Sequence, residues 1–477
     1  MTVPDHLPEE RLPEDSSPSD QTTAPVEAAP SEECAPAETA TAPERTPLTE
    51  RSAVLFAGFL LIAAIALAGT LRTVHDRQPD EFLQKAGSVR SHAVLSNWLN
   101  HGYFHYLGMI NRDPRTETVY LNSTGGYMVS GFIVEKIYSS VRGHYSYRLL
   151  ALHNQVVNMV ISALAGLLSY RLARRFGLGR RLAFTAASAV VIVLFTFPDN
   201  LDLYWEMSAQ AYGLLFALLY AVLEERSIDL PSRPRHLLLA QAASVFLMTV
   251  MESVFAMGVV ASIAAVTLIL RRDGSWKRVA VFVAAPCVAA LVLYQLQLKA
   301  VALRFPDLPT TGSRLIWRTG FDGDSAYYGD HLDIAKRRDV ARINWPKNRE
   351  HLFRWKWVFI LGVVSTLAVL VAFVRGHAPR IALEVLICLT GGWLLYAAIF
   401  SQAFVIHPYL YDVLLFTPLC IALFAIGPSL LESLTRYTGA IVLVIFFSAV
   451  WYSTFQMRLY SLRWPLPPTV TSPVENG

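Results

Sequence analysis

Apolar residues in this chain are gathered into runs rather than alternating at the period of a half-buried strand. The first begins at Ala53, and each run approaches the 17 to 25 residues that about 30 Å of hydrocarbon demands. A window of that length predicts about eleven helices, over 53–71, 149–169, 182–198, 208–223, 237–251, 253–270, 279–298, 357–374, 381–400, 410–427 and 439–455. Residues 237–270 read as one apolar stretch too long for a single ordinary span, and the acid Glu252 is the natural place to divide it. The fold class expected is an all-α polytopic membrane protein whose multi-span domain covers 51–455.

Polar positions set the orientation. "YRLARRFGLGRR" places five Arg between the second and third runs, and "RRDGSWKR" places four basic residues after the sixth. "RSIDLPSRPRH" and "RGHAPR" fall in the same alternating set, so that side is expected to be cytoplasmic. The chain is then a multi-pass protein of the inner (plasma) membrane with a cytoplasmic amino terminus. Two long external loops are expected at 72–148 and 299–356, with a short external tail at 456–477.

Composition agrees. Of 477 residues, 53% are hydrophobic and 16% charged, too apolar for an ordinary soluble domain. Residues 1–50 carry twelve Asp and Glu against two Arg, so the net charge of +4 conceals about +14 on the remainder. Much of that excess lies in short loops between spans, which removes nucleic acid as the natural partner. The first fifty residues are rich in Pro, Glu, Ala, Ser and Thr and are expected to be a disordered cytoplasmic tail. Cys34, Cys287, Cys388 and Cys420 show no CxxC spacing, so neither a disulfide framework nor a thiolate metal site is indicated.

The chemistry-bearing residues converge on the expected external face. Just after the first span, "RTVHDRQPDEF" packs Asp76, Asp80 and Glu81 into six positions. Downstream come an aromatic and apolar stretch, turns at "RDPR" and "STGG", and an apolar stretch suited to lying along the interface as a helix. In the second loop, Asp322, Asp324, Asp330, His331 and Asp333 stand beside Trp317, Tyr327 and Tyr328. Their order resembles a calcium loop, but Gly323 at the second position and the lack of Glu at the twelfth argue against one. A divalent-metal site, a sugar-binding loop and plain solvation all remain open there. Arg314, Arg318, Lys336, Arg337 and Arg338 flank those acids, and guanidinium groups suit a phosphate or pyrophosphate, as they also suit anionic lipid. Glu252, and Asp412 beside His407 and Tyr409, sit near the outer ends of their runs, while Glu384 near an inner end is expected to snorkel to the cytoplasm. His153 and Asn154 open the second run as caps or pocket residues.

A span followed by an acidic pair ("PDEF"), then "WLNHG", then "YLNSTGGY" leading into an apolar helix, resembles the first periplasmic loop of the GT-C superfamily of membrane glycosyltransferases. "TVMESVF" and "HPYLYDVLLFTPLCIAL" are looser matches, and "YLNSTGGY" stands where many members have a His-Pro-Pro type turn. The resemblance implies transfer of a sugar from a polyprenyl-phosphate donor to a cell-envelope glycan, lipid or protein. It implies a carboxylate base in the first loop, with Asp80 first, then Asp76 and Glu81. Glu252, His407, Tyr409, Arg314, Arg318, Arg337 and Arg338 are the expected substrate-binding residues. A membrane transporter or a noncatalytic envelope-assembly protein is the alternative. A transporter is expected to place ionisable groups near the midplane and to show repeats, neither of which stands out here.

Overall fold

The computed structural model describes residues 51–75, 86–113, 118–120, 125–196, 209–227, 230, 233–251, 253–270, 276–306, 356–375, 380–399, 417–432 and 444. Its described residues are overwhelmingly helical. Helix α1 is Ser52–His75, α2 Ala86–His101, α3 Val129–Arg142, α4 Tyr147–Arg175, α5 Arg180–Thr196 and α6 Ala209–Ser227. Helix α7 is Arg235–Met251, and α8 is Ser253–Ala265 continued by a π-helical stretch, Val266–Leu270. Helix α9 is Trp276–Arg304, with a π stretch at Ala280–Ala284. Helix α10 is Lys356–Val374 and α11 is Arg380–Ile399; α12 passes from Thr417–Ile421 through a π stretch to Gly427–Glu432.

Position 252 and the eleventh apolar run, 439–455, lie outside the described residues, position 444 apart, and the other ten runs overlap helices α1 and α4 to α12. Two of them, Leu152–Arg175 and Trp276–Arg304, are long and apolar enough to cross a membrane. The other apolar helical stretches found among the described residues, such as Ser52–Ala68 and Lys356–Val371, are shorter, at 10–17 residues.

The core is built around α4. Phe59, Ala63 and Leu67 of α1, Ala186, Val190 and Val193 of α5, and Leu214 and Leu218 of α6 pack with its Ala165, Leu168 and Leu172 in one buried cluster. Small residues let these helices approach closely, as packing without a strong hydrophobic drive requires. At Gly166 a Cβ would stand 2.6 Å from Val191 Cγ2 and 3.1 Å from the Phe59 ring, so a side chain there would force α1 and α5 away.

The ends of the helices sort into two groups. At one end the last turn of α4, the last turn of α6 and the first residue of α1 meet. There Arg171 donates to Glu225 Oε2 and, at 2.7 Å, to Ser52 Oγ, while Arg175 Nε donates to Glu225 Oε1 at 2.6 Å. Glu225 and Arg171 are both buried. Beside them Glu224 accepts from Arg233 at 2.7 and 2.9 Å and from Gln241 of α7 at 2.6 Å. Ser429 of α12 donates to Ala173 O at 3.5 Å at the same end. The stretches that follow α4 and α6, two of the four basic ones, thus begin at the same end as α1. Glu384, expected to snorkel, is instead buried and paired with Arg380 one helical turn away at 3.2 Å.

Candidate functional site

The opposite end carries a small folded unit made from the stretch between α1 and α4. Helix α2 ends at His101, and the turn after it brings Trp98 Nε1 onto Met109 O at 3.1 Å. An antiparallel ribbon of β1 (Ile110–Asp113) and β2 (Thr118–Tyr120) follows, with Ile110 opposite Tyr120 and Asn111 opposite Val119. The turn expected at "RDPR" thus begins inside a strand, and the ribbon is an exception to the all-α expectation. Gly125 has φ 68°, and a Cβ there would lie 2.3 Å from Gly108 O. Only glycine allows the chain to pass so close while turning left-handed into the 3₁₀ turn Gly126–Met128 and then α3. That is the local role of the "STGG" segment.

The unit is seated on the bundle at several points. Trp98 packs edge-on to Tyr103 and Phe132, in a cluster with Val94, Leu95, Met128 and Leu150. Tyr106, Met109 and Val119 pack with Tyr294, Leu298 and Val301 of α9, and Tyr106 stacks on Phe305 at 5.8 Å. Gln297 of α9 donates to Leu107 O at 2.5 Å. The first turns of α4 and α6 and the last turns of α9 therefore share this end.

Beneath the unit lies a chain of polar groups drawn from three helices. Ser130 Oγ of α3 is 2.5 Å from Tyr212 Oη of α6. Tyr212 Oη is 3.5 Å from His153 Nε2 of α4, and His153 Nδ1 is 3.1 Å from Asn154 Oδ1. With the Asn154 carbonyl accepting, Nδ1 carries the proton and Nε2 is left to accept from the phenol, whose oxygen then accepts from Ser130. Tyr212 and Asn154 are buried, and Asn158 Nδ2 donates to Asn154 O at 3.1 Å. Such a chain can hold a hydroxyl-rich ligand or relay a proton.

One carboxyl is enclosed in the same unit. Glu135 of α3 is fully buried, and its Oε2 accepts from Ser146 N–H at 3.1 Å. Its Oε1 and Asn97 Nδ2 of α2 are buried and make no hydrogen bond. Burial pushes the Glu135 carboxyl above the usual carboxylate range, and the Ser146 N–H partly offsets this. Burial likewise raises the Tyr103 phenol.

Asp76, Asp80, Glu81, Glu252, Arg314, Arg318, Arg337, Arg338, His407 and Tyr409 all lie outside the described residues, as do the acids of 322–333. Among the described residues no group of three or more His, Cys, Asp or Glu is placed to hold a metal ion. His153 and Asn154 belong to the polar chain rather than capping α4, since Ser146 Oγ takes the cap bond from Leu149 N–H at 3.2 Å. Ser130, Glu135 and Tyr212 escape a sequence reading because each sits in an apolar helix with no motif around it. The single signal was a lone acid in "GFIVEKIY". Searches against protein-family models, curated proteins and solved structures find no match to this chain.

Proposed function

We propose that this chain is a polytopic membrane glycosyltransferase of about eleven spans. It takes a sugar from a polyprenyl-phosphate donor and passes it to a cell-envelope glycan, lipid or protein on the outer face of the plasma membrane. The observation that carries the reading is the folded unit of α2, the ribbon and α3, which covers the end of the bundle away from the basic loops and encloses the Ser130–Tyr212–His153–Asn154 chain. A transferase for a lipid-borne sugar needs such a place: polar groups for sugar hydroxyls beside the end of a helix bundle that the lipid can approach.

The membrane part of the proposal is supported by α9 and α10, which turn Val288, Val292, Leu296, Ile360, Val364 and Leu367 outward. Contiguous apolar surface on that scale is unfavourable in water and ordinary in lipid.

In the proposed reaction the acceptor hydroxyl attacks C1 of the sugar, the bond from C1 to the phosphate oxygen breaks, and the phosphate leaves with the bonding pair. The acceptor proton goes to a carboxylate, Asp80 in first place. Arg314, Arg318, Arg337 and Arg338 are proposed to neutralise the leaving phosphate, with Glu252, His407 and Tyr409 lining the donor. Tyr212 and His153 join them as groups for sugar hydroxyls.

The test is transfer of radiolabel from a panel of polyprenyl-phosphate sugars in membranes holding equal amounts of wild type, Asp80→Asn or Tyr212→Phe. Label incorporated by the wild type and lost in Asp80→Asn supports both the activity and its base. Tyr212→Phe is expected to lower kcat/KM about tenfold, the worth of one hydrogen bond. Incorporation retained by Asp80→Asn moves the base to Asp76 or Glu81. No incorporation from any donor sinks the transferase reading, and solute uptake into vesicles would then put a transporter in its place.

A further inference from the structure

Helix α3 is built the wrong way round for a protein surface in water. Ile133, Ile137 and Val141, four residues apart, form one stripe and are 50%, 63% and 78% exposed. The opposite face holds Met128, Gly131 and Glu135, all buried, so the helix's one acid is inside while Ile133, Ile137 and Val141 are outside. In water the reverse arrangement is favoured, because each exposed aliphatic side chain forgoes about 1.5–3 kcal/mol of burial.

What covers the stripe follows from its neighbours. Helix α3 ends at Arg142, and Tyr147 opens α4, whose Leu152–Arg175 is one of the two helices of membrane-crossing length. Leu152 and Val156 on the early turns of that helix are themselves exposed and apolar, so outward apolar surface continues from α4 to its neighbour α3. Lys136 and Arg142 on α3 and His144 just beyond it are exposed, placing cationic or polar groups around the stripe. An apolar stripe edged with cations at the mouth of a span has the chemistry of a helix lying in the headgroup region.

We propose that α3 lies in the plane of the membrane surface, with Ile133, Ile137 and Val141 in the upper acyl layer and Lys136 and Arg142 against anionic headgroup phosphates. Glu135 is the positioning residue: its bond to Ser146 N–H ties the buried face of α3 to the start of α4 and so fixes the roll that turns the stripe toward lipid. The inference rests on the membrane part of the proposed function and is independent of sugar transfer.

The experiment uses the full chain with Cys34→Ser, reconstituted in lipid nanodiscs, with bimane attached at Ile137→Cys or, as the comparison, His144→Cys. Doxyl groups near the headgroup end of the acyl chains are expected to remove about half of the Ile137→Cys fluorescence, as for a side chain buried 5–10 Å into the boundary. Aqueous iodide is expected to leave that label bright and to quench the one at His144→Cys. Iodide quenching at Ile137→Cys without doxyl quenching would overturn the proposal. Doxyl quenching is expected to be greater in discs with phosphatidylglycerol than in phosphatidylcholine alone, and Lys136→Gln with Arg142→Gln is expected to abolish that difference. Equal quenching in both lipids before those changes would remove the headgroup contact. Glu135→Ala, in protein that elutes as a single folded species, is expected to raise iodide access at Ile137→Cys, and no change there would deny Glu135 its role. Transfer assays on the same discs report the enzymatic reading separately.

Discussion

Helices α4 and α9 both hold an apolar stretch of crossing length, yet 72% of that stretch is buried in α4 and 22% in α9. Hydropathy does not explain the difference, since the less buried α9 is the more apolar, at a mean of 2.2 against 1.6. The difference lies in where small residues point: in α4 Ala163, Ala165, Gly166 and Ala173 lie where α1, α5 and α12 close in, whereas α9 leaves Ala284, Ala285 and Ala289 exposed. Helix α9 presents Val281, Val288, Val292 and Leu296 outward and packs inward through Val283, Cys287 and Ala290. A central helix turns its small residues to its neighbours, and a peripheral one turns apolar groups to no protein partner. The same contrast holds between the ends of α4. Its last turns are locked by Arg171 and Arg175 on one buried carboxylate, while its early turns carry the neutral or titratable groups His153, Asn154 and Asn158. A tightly paired end is a structural anchor, and in the proposed function the lightly held polar end is where the ligand exchanges.

The sharpest way to break this comparison is Glu225→Ala. It leaves two buried guanidinium groups without their carboxylate and should destabilise by about 3–5 kcal/mol, read as lost monodisperse protein on size exclusion. A pair of equal truncations comes next. Leu168→Ala in α4, fully buried, should cost about 2–5 kcal/mol, whereas Leu296→Ala in α9, facing outward, should change thermal stability by well under about 1 kcal/mol. Similar losses from both would mean that α9 is covered by protein rather than lipid. The smallest effect is a pH dependence. Because burial raises the Glu135 carboxyl, its contribution to stability is full below the ordinary carboxylate range and is lost as pH rises through the raised value. Glu135→Gln keeps an acceptor for Ser146 N–H without the charge. It should flatten that decline and leave the variant at least as stable as the wild type at neutral pH, measured by thermal unfolding across pH 4–8 (about the window set by an elevated carboxyl).

Much of the bundle is legible along the chain, and the site far less so. Ten of the eleven apolar runs overlap described helices, and the ends of α4 and α6 that carry two of the basic stretches lie together. Two of the arginines used to orient the chain, Arg171 and Arg175, are nevertheless partners of Glu225 and not free loop charges. Counting charge along a sequence does not reveal that an acid fifty positions later takes it up.

The sequence by itself determined where most of the described helices form, because a helix-length apolar run depends on a sum over neighbouring residues. Only the tertiary structure decided that Ser130, His153 and Tyr212 meet, since the first and last stand 82 positions apart. It also decided that α3 turns Glu135 inward and its isoleucines outward. The roll of a helix is set by what packs on each side of it, and for α3 those partners are Trp98 and Tyr103 of the covering unit, Tyr212 of α6 and the first residues of α4.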